Sequence, residues 1–179
     1  MIWEFQYWKQ DIRKIAQRMK KRVTQSRWPE RSLVNLEKDI FIAFYAIRKL
    51  AEATKLSKPI VGMKLPAFSY PSIGKGVTKL NWHRLDEHFD FGEEKPEQLS
   101  LRFVYNQIVH SYICMPQMTE LSTLGGIFFC SDFKRNDRLY CLEIGEIIQC
   151  LELVAADDPS SLSMSYDSKS KDYKVTLSS

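Results

Sequence analysis

Residues 99–116 read Leu-Ser-Leu-Arg-Phe-Val-Tyr-Asn-Gln-Ile-Val-His-Ser-Tyr-Ile-Cys-Met-Pro, and the interpretation of the whole fold depends on this apolar stretch. It also carries three polar residues, Arg102, Asn106 and His110. At helical spacing, Asn106 lies about 40° and His110 about 80° around the axis from Arg102. The three side chains therefore lie together on the flank of a buried stripe. Such a trio forms either a functional site or a structural hydrogen-bond cluster.

Two prolines set the predicted limits of this central helix. Pro96 suits the first turn of a helix, and Pro116 is expected to end it. The stretch is rich in β-favouring residues, so a strand is the competing interpretation. Neither set of alternate residues is cleanly apolar, which favours the helix.

Two longer helices are predicted before it. Residues 2–25 and 30–56 both carry apolar residues at three- and four-residue steps. Arg48 lies beside the apolar stripe of the second helix, about 80° from Ile40. Residues 57–81 contain several Pro and Gly and indicate an irregular connector, with a short strand as an option.

The pattern of apolar and polar residues changes after Pro116. Residues 127–130 and 139–142 flank a polar turn and predict a β-hairpin, residues 145–156 a helix, and residues 162–167 and 172–177 a second hairpin. We therefore predict an α+β fold, with an N-terminal helical bundle followed by a small antiparallel sheet and one short helix. The corresponding division is a helical core over 1–116 and a segment over 117–179, packed as one domain.

The charge of the chain is concentrated in the first helix. The net charge is only +4, but residues 9–27 hold eight basic residues and one acid. This face is a candidate nucleic-acid surface, and a solvated helix face is the alternative. The candidate binding residues are Arg13, Lys14, Lys20, Lys21 and Arg22.

No stretch has the roughly 20 apolar residues of a membrane span. The N-terminus has no signal-like apolar run, so we expect a cytoplasmic protein without a membrane partner.

Cysteine and histidine spacing argues against a metal site. The four cysteines, at 114, 130, 141 and 150, include no Cys-x-x-Cys pair. Cys130 and Cys141 could face each other across the first hairpin, although free thiols are expected in a reducing cell. Residues 81–91 contain His83 and His88 among acids, but a helix would separate the two rings by about 140°. We expect a surface turn there, with no metal and no cofactor.

The polar trio has a possible chemistry. The imidazole of His110 can take up or donate a proton, and Asn106 can orient the ring or the substrate. Arg102 or Arg48 could bind a phosphate through its forked guanidinium. Such a set would suit metal-independent cleavage of RNA, in which the 2′-hydroxyl is the nucleophile. In the structural alternative, His110 forms hydrogen bonds to the long helix and fixes its register.

The order of elements over residues 1–116 resembles HEPN-like domains, a helical, nucleotide-binding family. The resemblance rests on the basic helix, on Ala-Ile-Arg-Lys-Leu at 46–50 and on Tyr-Asn-Gln-Ile-Val-His at 105–110. In that family an Arg, often followed by a polar residue, precedes a His on one helix with four to six residues between them. Two such helices form a ribonuclease cleft in a dimer. The resemblance assigns Asn106 and His110 to the polar and histidine positions. Tyr105 occupies the Arg position, and Arg102 lies one turn earlier.

Because the Arg position is changed, the first functional expectation is a non-catalytic module. It would assemble with itself or a partner protein, in a bacterial defence or toxin–antitoxin system. Aromatic residues of exposed type at Trp3, Tyr7 and Trp28 support this expectation. The alternatives are a metal-independent ribonuclease that uses His110 and a nucleic-acid binder that uses the first helix.

Overall fold

The structure, a computed structural model, describes residues 2–159, 161–168 and 171–178. The helices of these ranges are α1 (Phe5–Arg22), α2 (Glu30–Glu52), α3 (Lys58–Val61), α4 (Leu101–Val109) and α5 (Ile144–Ala156). The strands are β1 (Lys64–Pro71), β2 (Lys95–Ser100), β3 (Ser111–Met118), β4 (Leu124–Ser131), β5 (Arg138–Glu143), β6 (Ser161–Asp167) and β7 (Asp172–Ser178). The predicted α+β class is confirmed.

The two long N-terminal helices form as their periodicity predicts. In α1 the stripe of Ile12, Ile15, Ala16 and Met19 is buried together with Lys9, whereas the other basic residues are exposed or partly buried. The carbonyl of Pro29 accepts the first backbone hydrogen bonds of α2. α2 packs against both α1 and α4, which fits its wide apolar stripe.

A five-stranded antiparallel sheet lies at the centre, in the order β2-β1-β5-β4-β3. One face packs against the helices and contributes Leu65, Phe129 and Leu142 to the larger core. The other face is covered by the connector between β1 and β2, where Val77, Leu85 and Phe89 are buried. The alternation of side chains along each strand supplies both cores.

The predicted limits of the central helix were wrong at both ends. Its N-terminus is at Leu101, where the Ser100 hydroxyl accepts a hydrogen bond from the Phe103 amide at 3.2 Å. A serine that caps the helix in this way satisfies an amide that would otherwise have no partner. The preceding residues, including Pro96, form β2.

The C-terminal end of the predicted helix, residues 111–116, belongs to strand β3, which pairs with β4. β2 and β3 are the two edge strands of the sheet, and each contains a proline, Pro96 and Pro116. An edge strand tolerates proline because one side of its backbone needs no hydrogen-bond donor. The prolines therefore mark the edges of a sheet and not the ends of a helix. The sheet accordingly takes three strands from the region before residue 119, where the sequence indicated one at most.

The hairpins and helix predicted after residue 117 are confirmed as β4–β5, α5 and β6–β7. Cys141 pairs with Phe128 in the β4–β5 register, so Cys130 lies two residues away from direct opposition. Both thiols are free and buried. No helix among the described residues is long and apolar enough to cross a membrane.

Candidate functional site

The guanidinium of Arg48 contacts the imidazole of His110, with 2.9 Å between Nη1 and Nε2. Arg48 projects from α2, and His110 is the residue that follows α4. Arginine has no acceptor atom, so Nε2 must accept this hydrogen bond and is unprotonated while it lasts. The His110 side chain is exposed, which leaves the ring accessible to a ligand.

α4 and its C-terminal residue hold the predicted trio on one side. The His110 amide donates to the Asn106 carbonyl at 3.2 Å, which continues the helical pattern by one residue. Arg102, Asn106 and His110 therefore follow one another at one-turn intervals, roughly 6 Å between successive Cβ atoms. The one-turn geometry predicted for Asn106 and His110 is confirmed, although the helix ends there.

A cleft of about 440 Å³ opens beside this contact, between α2 and α4. Its polar lining consists of Arg48, Glu52, Arg102 and Asn106, and Tyr105 and Leu101 are part of its wall. The volume is within the range of small-ligand sites. The structure thus brings three of the predicted site residues into one cleft and places the fourth, His110, against Arg48.

Glu52 is a member of the site that the sequence reasoning missed. Its carboxylate accepts from Lys49 Nζ at 2.8 Å and from Arg48 Nε at 2.7 Å. The Lys49 and Arg48 hydrogen bonds lower the pKa of Glu52 to about 2. Its i+4 spacing from Arg48 on α2 is the sequence signal that could have identified it.

Tyr105 directly precedes Asn106 on α4. Its ring is buried in the wall of the cleft, on the core side of α4. The cleft instead draws cationic groups from Arg48 on α2 and from Arg102, one turn before Asn106. The positive charge of the cleft therefore comes from positions 48 and 102 and not from position 105.

Most of the basic residues of α1 contact acceptor groups of the protein itself. Three of them contact the C-terminal part of α5: Lys9 contacts Asp157, Arg13 donates to the Ala155 carbonyl at 3.0 Å, and Lys20 pairs with Glu152 at 2.6 Å. Cations suit this end of a helix because its free carbonyls carry partial negative charge.

The remaining basic candidates of α1 divide into two groups. Arg22 pairs with the buried Asp39 at 2.7 Å. Arg18 donates to the same carboxylate from Nε at 3.1 Å. Lys14 pairs with Asp11 on the same helix, and Lys21 is exposed without an ion pair among the described residues. Of the five candidate nucleic-acid residues, Arg13, Lys14, Lys20 and Lys21 are thus exposed, and Lys21 alone has no ion pair or side-chain hydrogen bond among the described residues.

The His/Asp/Glu segment at 81–91 forms a turn, with Leu85 and Phe89 buried as predicted. His88 is also buried, and its two ring nitrogens each lie 3.2 Å from a backbone carbonyl, of Lys75 and of Asn81. Among the described residues, no group of three His, Cys, Asp or Glu side chains is arranged to hold a metal ion.

A second surface feature adjoins the site. An open apolar groove of about 590 Å³ runs between α1 and α2 and includes Tyr7, Trp8, Ile42, Tyr45 and Val109. Ile42 is 55% and Tyr45 46% exposed, and Trp3, close by in the chain, is 94% exposed. Trp28, the third aromatic singled out from the sequence, is half-buried and donates to two backbone carbonyls.

No family model, curated protein or solved structure matches this chain.

Proposed function

We propose that the protein binds the phosphodiester backbone of RNA in the Arg48–Arg102 cleft and cleaves it without a metal ion. The observation that carries this proposal is the exposed His110 imidazole with its Nε2 held 2.9 Å from Arg48 Nη1. A proton acceptor is thereby placed beside a forked cation, the pair of groups that cleavage by a neighbouring hydroxyl requires.

The chemistry assigns a step to each residue. The incoming phosphate replaces His110 as the acceptor of the Arg48 hydrogen bond, which frees the Nε2 lone pair. Nε2 then accepts the proton of the 2′-hydroxyl while that oxygen attacks phosphorus. The P–O5′ bond breaks, the leaving oxygen takes a proton from water, and the hydroxide so formed takes the proton back from His110. The products are a 2′,3′-cyclic phosphate and a 5′-hydroxyl. Arg48 and Arg102 stabilise the negative charge that accumulates on the phosphate oxygens.

The resemblance to HEPN-like domains assigns Asn106 and His110 to functional positions, and in this proposal Arg48 and Arg102 supply the positive charge that Tyr105 does not. Asn106 lies between Arg102 and His110 on α4 and lines the cleft, where its amide can hydrogen-bond the ribose or phosphate. An RNA substrate also agrees with the cytoplasmic location expected from the sequence.

The test is incubation of the purified protein with a mixed RNA pool in the presence of EDTA. We expect fragments that end in a 2′,3′-cyclic phosphate, identified by mass spectrometry. A pool that stays intact at high protein concentration would exclude the ribonuclease function.

The apolar groove supports a second candidate, a module that assembles with a second copy of itself. The groove is lined by apolar side chains apart from Asp11, which is paired with Lys14 on the same helix. A two-fold axis across the groove would set these apolar side chains against the same side chains of the second copy. Self-complementarity of this kind is what a symmetric dimer needs.

The exposed side chains of the groove give the interface its apolar centre. Ile42, Tyr45 and Tyr7 would leave water on assembly, and aromatic side chains of this kind dominate interface energetics. Light scattering at micromolar concentration tests this candidate, with a dimer mass as the expected result. A monomer mass throughout would exclude it.

A further inference from the structure

We propose that Glu52 acts as a built-in competitor for the anionic ligand of the cleft, holding Arg48 until a phosphate displaces it. The inference rests on the proposed function, because it concerns how the same cleft receives its phosphate. It differs from that function in assigning a role to a carboxylate outside the polar trio.

Two of the three donor nitrogens of Arg48, Nε and Nη1, already have acceptors. Nε donates to Glu52 Oε1 at 2.7 Å, and Nη1 lies 2.9 Å from His110 Nε2. A phosphate that binds arginine in the forked mode needs two donors on one edge of the guanidinium. The edge that includes Nε is partly occupied by Glu52, and the edge that includes Nη1 is occupied by His110. An anion that displaces His110 from Nη1, as cleavage requires, therefore still competes with Glu52 for the same guanidinium.

Of these two acceptors, Glu52 is the one that repels an incoming anion most directly. It lines the cleft, so its negative charge faces the space that a phosphate would enter. Lys49 anchors the second oxygen at 2.8 Å, which keeps the carboxylate beside Arg48. The Lys49 and Arg48 hydrogen bonds hold the pKa of Glu52 at about 2, so the carboxylate is negatively charged at neutral pH. Displacement leaves Glu52 on Lys49 and releases Arg48 for the ligand.

The experiment compares Glu52→Gln with Glu37→Gln, which removes the same charge at an exposed position earlier on α2. The probe is a fluorescent, single-stranded 2′-O-methyl RNA, which cannot be cleaved, and the readout is its Kd from anisotropy at low salt. We expect Glu52→Gln to bind about two- to fivefold more tightly than the wild type, the range set by an exposed ion pair. Glu37→Gln should bind with the wild-type Kd.

Four results are decisive. A Kd for Glu52→Gln that equals that of Glu37→Gln overturns the inference, and a weaker Kd does so too, because it would make Glu52 a support for Arg48. The Arg48→Ala variant separates the two proposals: if it loses binding while Glu52→Gln changes nothing, only the competitor role fails. If the wild-type protein does not bind the probe, the proposed function fails, and the inference fails with it.

Discussion

Arg48 Nη1 and His110 Nε2 lie 2.9 Å apart although 62 positions separate the two residues in the chain. The contact joins the last third of α2 to the residue after α4, and the cleft opens between these two elements. Packing of α2 against α4 is therefore what assembles the site.

Replacement of His110 by alanine tests its role in proton transfer. We expect RNA cleavage to fall by about 10²–10⁴-fold, the usual contribution of a positioned acid or base. Because the side chain is exposed, the melting temperature should stay close to that of the wild type. His83→Ala, at another exposed histidine, is the matched control and should retain full activity. Equal rates for the two variants would remove His110 from the mechanism.

The Arg48→Lys variant tests the forked cation. Lysine keeps the positive charge but presents a single ammonium, so it cannot bind phosphate through two parallel hydrogen bonds. We expect RNA binding to weaken by about tenfold, roughly 1.4 kcal/mol, with the dependence on salt concentration unchanged. A titration of the RNA probe at several salt concentrations measures both quantities. A wild-type Kd for this variant would show that the fork is not used.

The Asp39 cluster predicts that much of the basic face of α1 stabilises the fold. Asp39→Ala removes the buried acceptor of both Arg18 and Arg22, and we expect a loss of about 2–3 kcal/mol in the free energy of unfolding. Asp11→Ala breaks only the exposed pair with Lys14 and should cost less than about 0.5 kcal/mol. Urea denaturation of both variants provides the comparison. Similar losses would mean that the cluster contributes little.

Burial of the thiols makes the fold sensitive to alkali. Burial raises the pKa of Cys130, Cys141 and Cys150 from 9.0 to about 12. The folded state therefore favours the protonated thiols, so their contribution to stability is complete below pH 9 and is lost as pH rises toward 12.

Reactivity with iodoacetamide at pH 9 tests this prediction. We expect slow labelling of the native protein and fast labelling in urea, because the thiolate is the reactive form. Rapid labelling of these three cysteines under native conditions would contradict the assignment.

A charge placed in the apolar groove tests the dimer. Ile42→Asp should give a monomer by light scattering while the melting temperature stays within about 2 °C, because Ile42 is already 55% exposed. The control is Leu80→Asp, which adds the same charge at an exposed position outside the groove and should leave the wild-type mass. A dimer that survives Ile42→Asp would place the interface elsewhere.

The elements governed by local periodicity could be predicted from the sequence. The stripe on α2 and the polar turn between β4 and β5 both specify their structure from residues close in the chain. The spacing of Asn106 and His110 likewise depends on a single helical turn, and α4 preserves it.

Tertiary pairing decided what the local pattern left ambiguous. Residues 111–116 continue an apolar run that suits either helix or strand, and pairing with β4 makes them a strand. The same sheet places Pro96 and Pro116 on its two edges, where a missing amide hydrogen costs nothing. Arg48 and Glu52 pair within α2 through their i,i+4 spacing, whereas His110 reaches Arg48 because α2 packs on α4, and no local signal in the sequence specifies that second contact.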